Sequence, residues 1–185
     1  MHRLIVLGLF LSVSIAPNVV AWEFEWTATG PWQIDDNKVH SIPLVGDHVQ
    51  NASQVELLIE GLSHTSPMDL NIFLLDPFGG GIEVIDDTGD QIAISDVTIT
   101  FSDNGIPLPG DNEIMNGADY FPLGPGTFAQ YDGEINAGTW YLVVVDDSPG
   151  QSGEFDSFTL RGVPEPMTLS LLALGAVVAF RRKRS

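Results

Sequence analysis

Residues 138–147 read GTWYLVVVDD, and this stretch decides the fold class. Trp140, Leu142 and Val144 fall on one side of an extended chain, and the residues between them fall on the other side. Aromatic and β-branched residues that alternate with a period of two predict a β-strand. Two aspartates follow the alternation, so the strand is predicted to end in an acidic turn.

Five further segments alternate in the same way, and Gly, Pro, Asn and Asp residues separate them. They are QVELLIEGL at 54–62, DLNIFLLDP at 69–77, GIEVID at 81–86, ISDVTITFSD at 94–103 and EFDSFTLRG at 154–162. Because no helical periodicity intervenes, the sequence predicts an all-β fold, either an antiparallel β-sandwich or a jelly roll. Residues 105–131 lack the alternation and are predicted to form a long crossover connection.

The first 21 residues have the pattern of a secretory signal peptide. A short basic start precedes an apolar run at 4–15, and Val19 and Ala21 are small residues that suit a signal peptidase. This run is shorter than the roughly 20 residues of a membrane span, which argues against an N-terminal anchor. We therefore predict export through the Sec route with cleavage after Ala21.

Residues 22–162 form the predicted domain, and they are strongly acidic. They hold all of the chain's 25 acidic residues except Glu165, but only Lys38 and Arg161 of its seven basic residues, which gives a net charge of −22. Such a charge repels nucleic acid and anionic membrane surfaces, and it favours divalent cations. The chain has no cysteine, which excludes thiol catalysis and cysteine-based zinc sites.

The stretch LIEGLSHTSPMDLNIFLLDPFGG at 58–80 resembles the P-domain of proprotein convertases. The likeness lies in the pair His64 and Thr65, in Asp69 before the alternating strand, and in the Pro-Gly turn after it. Residues 120–162, with GTW at 138–140, resemble the second half of that family. The resemblance implies a jelly-roll sandwich. In convertases this domain stands beside a subtilisin-like protease domain, so a chain of this size is expected to be a stand-alone accessory domain.

The C-terminal residues 163–185 resemble the PEP-CTERM sorting signal of Gram-negative bacteria that make exopolysaccharide. The parts that carry the likeness are Val163, Pro164, Glu165 and Pro166, an apolar run at 167–180, and the basic residues Arg181, Arg182, Lys183 and Arg184. The resemblance implies processing by an exosortase, a membrane transpeptidase. As a hydrophobic helix the run would be about 21 Å long, which is short for a bilayer core of about 30 Å. We predict transient inner-membrane anchoring followed by transfer to the cell surface or extracellular matrix, and a lasting single-pass anchor is the alternative.

Acidic side chains near predicted turns are the candidate metal ligands. Calcium prefers six to eight oxygen ligands, and Asp69, Asp103 and Asp146 match acidic or polar positions of the resembled family. No EF-hand spacing is present. Each of the three residues also suits a purely structural role in a turn or cap.

No catalytic group stands out in the sequence. Carboxylates are so abundant that no single pair is informative, which leaves a glycan-active enzyme as a third alternative. His64 is followed by Thr65 and Ser66, but the resembled family uses the His-Thr pair structurally, and no Gly-x-Ser-x-Gly motif occurs. Trp140 is predicted to lie in the core. The other three tryptophans lie in a segment without clear periodicity and are candidates for stacking on sugars; they are Trp22, Trp26 and Trp32.

Together these features predict a non-catalytic, secreted or cell-surface protein that is sorted by an exosortase. Its predicted role is to bind or build extracellular matrix or biofilm, with exopolysaccharide or another surface protein as the partner and calcium as the candidate ion. The alternative from the P-domain resemblance is an accessory or chaperone-like domain that acts with a separate subtilisin-like protease.

Overall fold

The computed structural model describes residues 24–110 and 113–163, with only the main chain of Val163. These residues form nine β-strands and two short 3-10 helices, and they contain no α-helix. The strands are β1 (Phe24–Ile34), β2 (Val39–Gly46), β3 (Gln54–His64), β4 (Leu70–Leu75), β5 (Gly81–Asp86), β6 (Ile94–Ile106), β7 (Asp119–Tyr120), β8 (Gly138–Asp146) and β9 (Gly153–Val163). The 3-10 helices are Pro67–Asp69 and Phe128–Tyr131.

The strands form two sheets. The five-stranded sheet has the order β1-β9-β3-β6-β7, and the four-stranded sheet has the order β2-β8-β4-β5. All paired strands are antiparallel except β6 and β7. The prediction of an all-β sandwich is therefore confirmed.

The core lies between the two sheets and consists of the inward-facing residues of the alternating strands. Leu57 and Ile59 come from the five-stranded sheet, Leu74 and Leu142 come from the four-stranded sheet, and all four are fully buried. Period-two patterning places these apolar side chains on the inner faces, and their removal from water stabilises the sandwich.

Most predicted strands lie within one or two residues of their expected bounds, but the N-terminal region differs. The segment that contains Trp26 and Trp32 is strand β1, which pairs with β9. A register shift between Thr29 and Trp32 interrupts its alternation. The predicted connection at 105–131 is largely irregular, but it contains β7 and the second 3-10 helix.

Strands β3 and β9 approach each other closely where β3 ends. A Cβ atom at Gly153 would overlap the carbonyl oxygen of Ser63 and the ring of His64. Glycine is therefore required at this point for steric reasons. The close approach holds the His64 ring against the end of the sandwich, where the acidic turns of the four-stranded sheet also lie.

Candidate functional site

Acidic residues from three separate turns meet at one end of the four-stranded sheet. The register pairs Asn71 of β4 with Asp86 of β5 and pairs Leu70 with Asp146 of β8. A main-chain hydrogen bond then joins the residues that flank these strands: the Asp147 N–H donates to the Asp69 carbonyl oxygen at 3.1 Å. We call Asp69, Asp86, Asp87 and Asp147 the aspartate cluster.

The pKa of Asp87 shows the effect of the other negative charges in the cluster. Its pKa is raised from the ordinary value of 3.8, first by burial and then by the negative charges of Asp147, Asp86 and Asp69. Its main chain is left-handed, with φ of 45°, a conformation that Asp and Asn tolerate better than most residues. The main-chain N–H of Asp87 donates to the Leu70 carbonyl oxygen at 3.3 Å.

Asn71 contributes an unsatisfied oxygen beside the cluster. Its Nδ2 donates to Asp86 Oδ1 at 2.8 Å, whereas its buried Oδ1 has no hydrogen-bond partner among the described residues. Carboxylate and amide oxygens are the ligand types that calcium prefers. Even so, residues 24–110 and 113–163 contain no preformed group of three acidic or histidine side chains that could hold a metal ion.

Asp146, one of the three candidate ligands, serves a buried structural pair. Its Oδ2 lies 3.2 Å from Nε2 of His64, and both side chains are fully excluded from solvent. The other oxygen, Oδ1, accepts the main-chain N–H of Ser148 at 3.3 Å. Asp146 therefore faces into the sandwich, while its neighbour Asp147 faces the aspartate cluster.

Asp103 lies at the opposite end of the sandwich. Its two carboxylate oxygens accept the main-chain N–H groups of Phe128 and Ala129 at 2.9 and 2.6 Å, so it caps the second 3-10 helix. Asp103 also lines a cavity with Val55. Val55 and His64 are nine residues apart on the extended strand β3, which corresponds to roughly 30 Å. The structure brings Asp69 and Asp146 to one end but does not bring Asp103 to them.

The His64 environment does not form a catalytic triad. Nδ1 of His64 lies 2.8 Å from the carbonyl oxygen of Ser66 and 3.2 Å from its main-chain nitrogen, so the serine hydroxyl takes no part in these contacts. The ring and Asp146 are buried, whereas a triad must present its nucleophile to a substrate. The pair instead joins β3 of one sheet to β8 of the other.

The tryptophans do not form an exposed platform within the described residues. Trp140 is fully buried and packs edge-on against Tyr131 with ring centroids 4.9 Å apart, so its predicted core role is confirmed. Trp26 is also buried and packs against Phe24. Trp32 is half-buried, and its buried Nε1 has no hydrogen-bond partner.

The solvent side of the four-stranded sheet is largely apolar along β2 and β8, with Ser41 and Thr139 as its polar members, and the sequence alone did not reveal this. Val39 and Val45 of β2 are each 66% exposed, and Tyr141 of β8 is 39% exposed. Register pairs Val39 with Val145 and Pro43 with Tyr141, so these residues form a continuous surface. We call this surface, formed by the outward residues of β2 and β8, the outer apolar face.

The predicted targeting residues lie outside the described part of the chain, apart from the main chain of Val163, and so does Trp22, a candidate for stacking on sugars. Those outside are Ala21, Trp22, Pro164, Glu165, Pro166, Arg181, Arg182, Lys183 and Arg184. Val163 is the last residue of β9 and pairs with Gln54. Within residues 24–110 and 113–163, no helix has the length and apolar character needed to cross a membrane.

Comparison with known proteins decides the family. The sequence model of the proprotein convertase P-domain matches residues 53–162, which is more than half of the chain. The chain belongs to the proprotein convertase P-domain family. No curated protein sequence matches it.

Solved structures similar to this P-domain chain include two from Aeromonas sobria. One is a complex of a serine protease with the chaperone ORF2, at 15% identity and a TM-score of 0.47 over 77% of this chain. The other is the serine protease itself, at 14% identity and a TM-score of 0.45 over 76% of this chain. The P-domain chain spans only 26% of either Aeromonas chain.

Proposed function

We propose that this protein is a non-catalytic accessory P-domain that binds a separately encoded subtilisin-like protease. Membership of the P-domain family, which covers residues 53–162, carries this proposal. The buried His64–Asp146 pair fits it, because these residues are used to join the two sheets and not to attack a substrate.

The outer apolar face is the proposed contact surface for the protease. Val39, Val45 and Tyr141 expose apolar area on a domain that otherwise carries a net charge of −22. Apolar and aromatic residues in the middle of a surface patch are typical of protein interfaces. The surrounding negative charge favours a partner whose rim is basic.

A capture experiment with matched variants tests this proposal. The tagged full chain is expressed in its own cells, and proteins bound to it are identified after mild chemical cross-linking. We expect a subtilisin-like protease with the parent chain and with Ile106→Lys, since Ile106 is 57% exposed on β6 of the other sheet. We expect its loss with Tyr141→Lys. Equal recovery with both variants would remove the outer apolar face from the proposal, and absence of the protease from all samples would reject the accessory role.

We also propose that the protein is sorted to the cell surface by an exosortase. The sequence elements that support this are Val163–Pro166, the apolar run at 167–180 and the basic run Arg181–Arg184. A matrix or biofilm role with exopolysaccharide as the ligand rests on the same elements and on the acidic charge. Intact-mass analysis of the native protein tests sorting: we expect a species that begins at Trp22 and ends near Val163–Pro166. A membrane-bound species that keeps Arg181–Arg184 would refute it.

Weak calcium binding at the aspartate cluster is a further part of the proposed function. Three carboxylates surround Asp87, and the unsatisfied Oδ1 of Asn71 lies beside them. Calcium would neutralise the repulsion between these carboxylates. Because no complete set of ligands is preformed among the described residues, we expect affinity in the millimolar range typical of extracellular modules.

A further inference from the structure

An open apolar groove lies beside the edge of the five-stranded sheet, where β6 ends. Its volume is about 420 Å³, and its lining has no charged side chain. The lining residues are Gly105, Pro107, Leu108, Phe121, Pro122 and Leu123. Phe121 and Leu123 are 39% and 51% exposed, so they would lose contact with water if an apolar ligand were bound. The groove is therefore suited to an apolar chain segment and poorly suited to a charged ligand.

The walls of the groove are held together by main-chain contacts. The Phe121 N–H donates to the Ile106 carbonyl oxygen at 2.7 Å, and Ile106 also pairs with Tyr120 of β7. A Cβ atom at Gly105 would overlap the main chain of Tyr120 and Phe121, so the two walls are in direct contact there. These contacts make the groove a preformed feature of the fold.

The described chain ends close to this groove. Val163 pairs with Gln54 in the sheet, and Gln54 lines a cavity together with Asn104. Asn104 directly precedes Gly105, the first lining residue of the groove. Two strand spacings, or about 10 Å, therefore separate Val163 from β6. Three residues such as 164–166 would span about 10 Å if extended, which is enough to bring residue 167 to the edge of the groove at Gly105.

The segment that follows has the composition the groove requires. Residues 167–180 contain no charged residue and are mostly Leu, Ala, Val, Met and Phe. The basic residues Arg181–Arg184 come next, and a domain with a net charge of −22 attracts them. The same charge makes two domains repel each other, which favours the groove's own chain over a second copy as the source of the ligand.

We propose that apolar side chains near the start of residues 167–180 pack into this groove of their own domain while the chain is in aqueous solution. The groove then shields part of this apolar segment until a membrane or another protein takes it up. This inference does not depend on the proposed protease partner, since it concerns contacts within one chain.

Disulfide trapping tests the proposal. The chain has no cysteine, so no native thiol competes with the introduced pair. In the groove pair, Ser170→Cys is combined with Leu123→Cys. In the control pair, Ser170→Cys is combined with Glu134→Cys, an exposed site close to the chain exit. Glu134 is close because the adjacent Gly133 N–H donates to the Ala52 carbonyl oxygen at 2.7 Å, and a Cβ atom at Gly162 would meet the Ala52 Cβ at 2.6 Å.

The full chain is oxidised in detergent-free buffer, and disulfide formation within single chains is followed by mass. We expect the groove pair to close about tenfold faster than the control pair, because docking raises the local concentration of the thiol. Adding Leu171→Glu and Leu174→Glu changes only the tail, leaves the domain intact and should reduce the groove pair to the control rate. Equal rates for the two pairs, no effect of the glutamates, or disulfides mainly between chains would each overturn the proposal.

Discussion

Nε2 of His64 lies 3.2 Å from Oδ2 of Asp146, and neither side chain is exposed to solvent. His64 ends β3 of the five-stranded sheet, and Asp146 ends β8 of the four-stranded sheet. The pair is thus a buried polar connection between the two sheets. A buried polar group that loses its partner is costly, so this contact makes a strong test of the fold.

Removal of the carboxylate from this pair should destabilise the domain strongly. We expect Asp146→Ala to lower the free energy of unfolding by about 3 kcal/mol, because the His64 ring and the Ser148 N–H both lose a buried acceptor. Urea unfolding followed by tryptophan fluorescence measures the change. Asp47→Ala is the control, since the Asp47 side chain is 71% exposed, and it should change stability by less than about 0.5 kcal/mol. Similar losses for both variants would contradict a structural role for the pair.

The raised pKa of Asp87 predicts that the contribution of this residue to stability is favourable at low pH and disappears as the pH rises. Folding raises this pKa above 3.8 through burial and the neighbouring carboxylates, so the protonated form favours the folded state. That stability is present below the unfolded-state pKa and is lost as the pH rises through the folded-state pKa. Asp87→Asn should therefore raise the melting temperature at pH 7 and have a smaller effect near pH 3.

A matched control separates charge from backbone effects in this experiment. Asp96, on β6 of the other sheet, also has a positive φ, of 53°, and lies outside the aspartate cluster. Asp96→Asn should give a change in melting temperature that depends little on pH. If Asp87→Asn behaves in the same way as this control, repulsion within the cluster does not affect stability.

Calcium should stabilise the folded chain through the same cluster. We expect the melting temperature to rise when calcium reaches millimolar concentrations, because an ion that binds only the folded state shifts the equilibrium towards it. Differential scanning calorimetry of the full chain measures the rise, with magnesium as the comparison ion. Asp147→Asn should reduce the calcium effect, whereas Asp103→Asn should leave it unchanged. A rise that is the same in both variants would place the calcium elsewhere.

Trp140 should be essential for stability and not for sugar binding. It is fully buried, packs on Tyr131, and donates from Nε1 to the Asn136 carbonyl oxygen at 3.1 Å. We expect Trp140→Ala to cost about 3–5 kcal/mol of unfolding free energy, as is usual for large core aromatics. Phe78→Ala, at a 77% exposed site, should be nearly neutral in the same chemical unfolding assay. A stable Trp140→Ala protein would contradict the core assignment.

The strands that could be predicted from sequence are those with uninterrupted alternation. β8 is the clearest, because Trp140, Leu142 and Val144 are all buried as expected. The edge strands β1 and β2 were not predicted: Pro31 and a register shift interrupt β1, and Pro43 lies within β2. Proline is tolerated at sheet edges because no neighbouring strand needs its missing N–H.

The site was less predictable than the fold, because it depends on register between distant strands. The sequence shows Asp69 and Asp147 as separate turn residues, and only the pairing of β4 with β8 brings them together. Asp103 looks equivalent to them in sequence, yet its carboxylate caps the second 3-10 helix. The outer apolar face was hidden because both sides of β8 are apolar, so alternation alone could not separate core from surface.

The proposed function requires this P-domain to bind a separate protease. The most direct measurement is native mass spectrometry of the tagged full chain purified from its own cells without cross-linking. We expect a complex whose mass is that of one such chain plus one subtilisin-like protease, and whose abundance falls with Tyr141→Lys. A spectrum that contains only the chain itself, alone or as multiple copies, would contradict the claim.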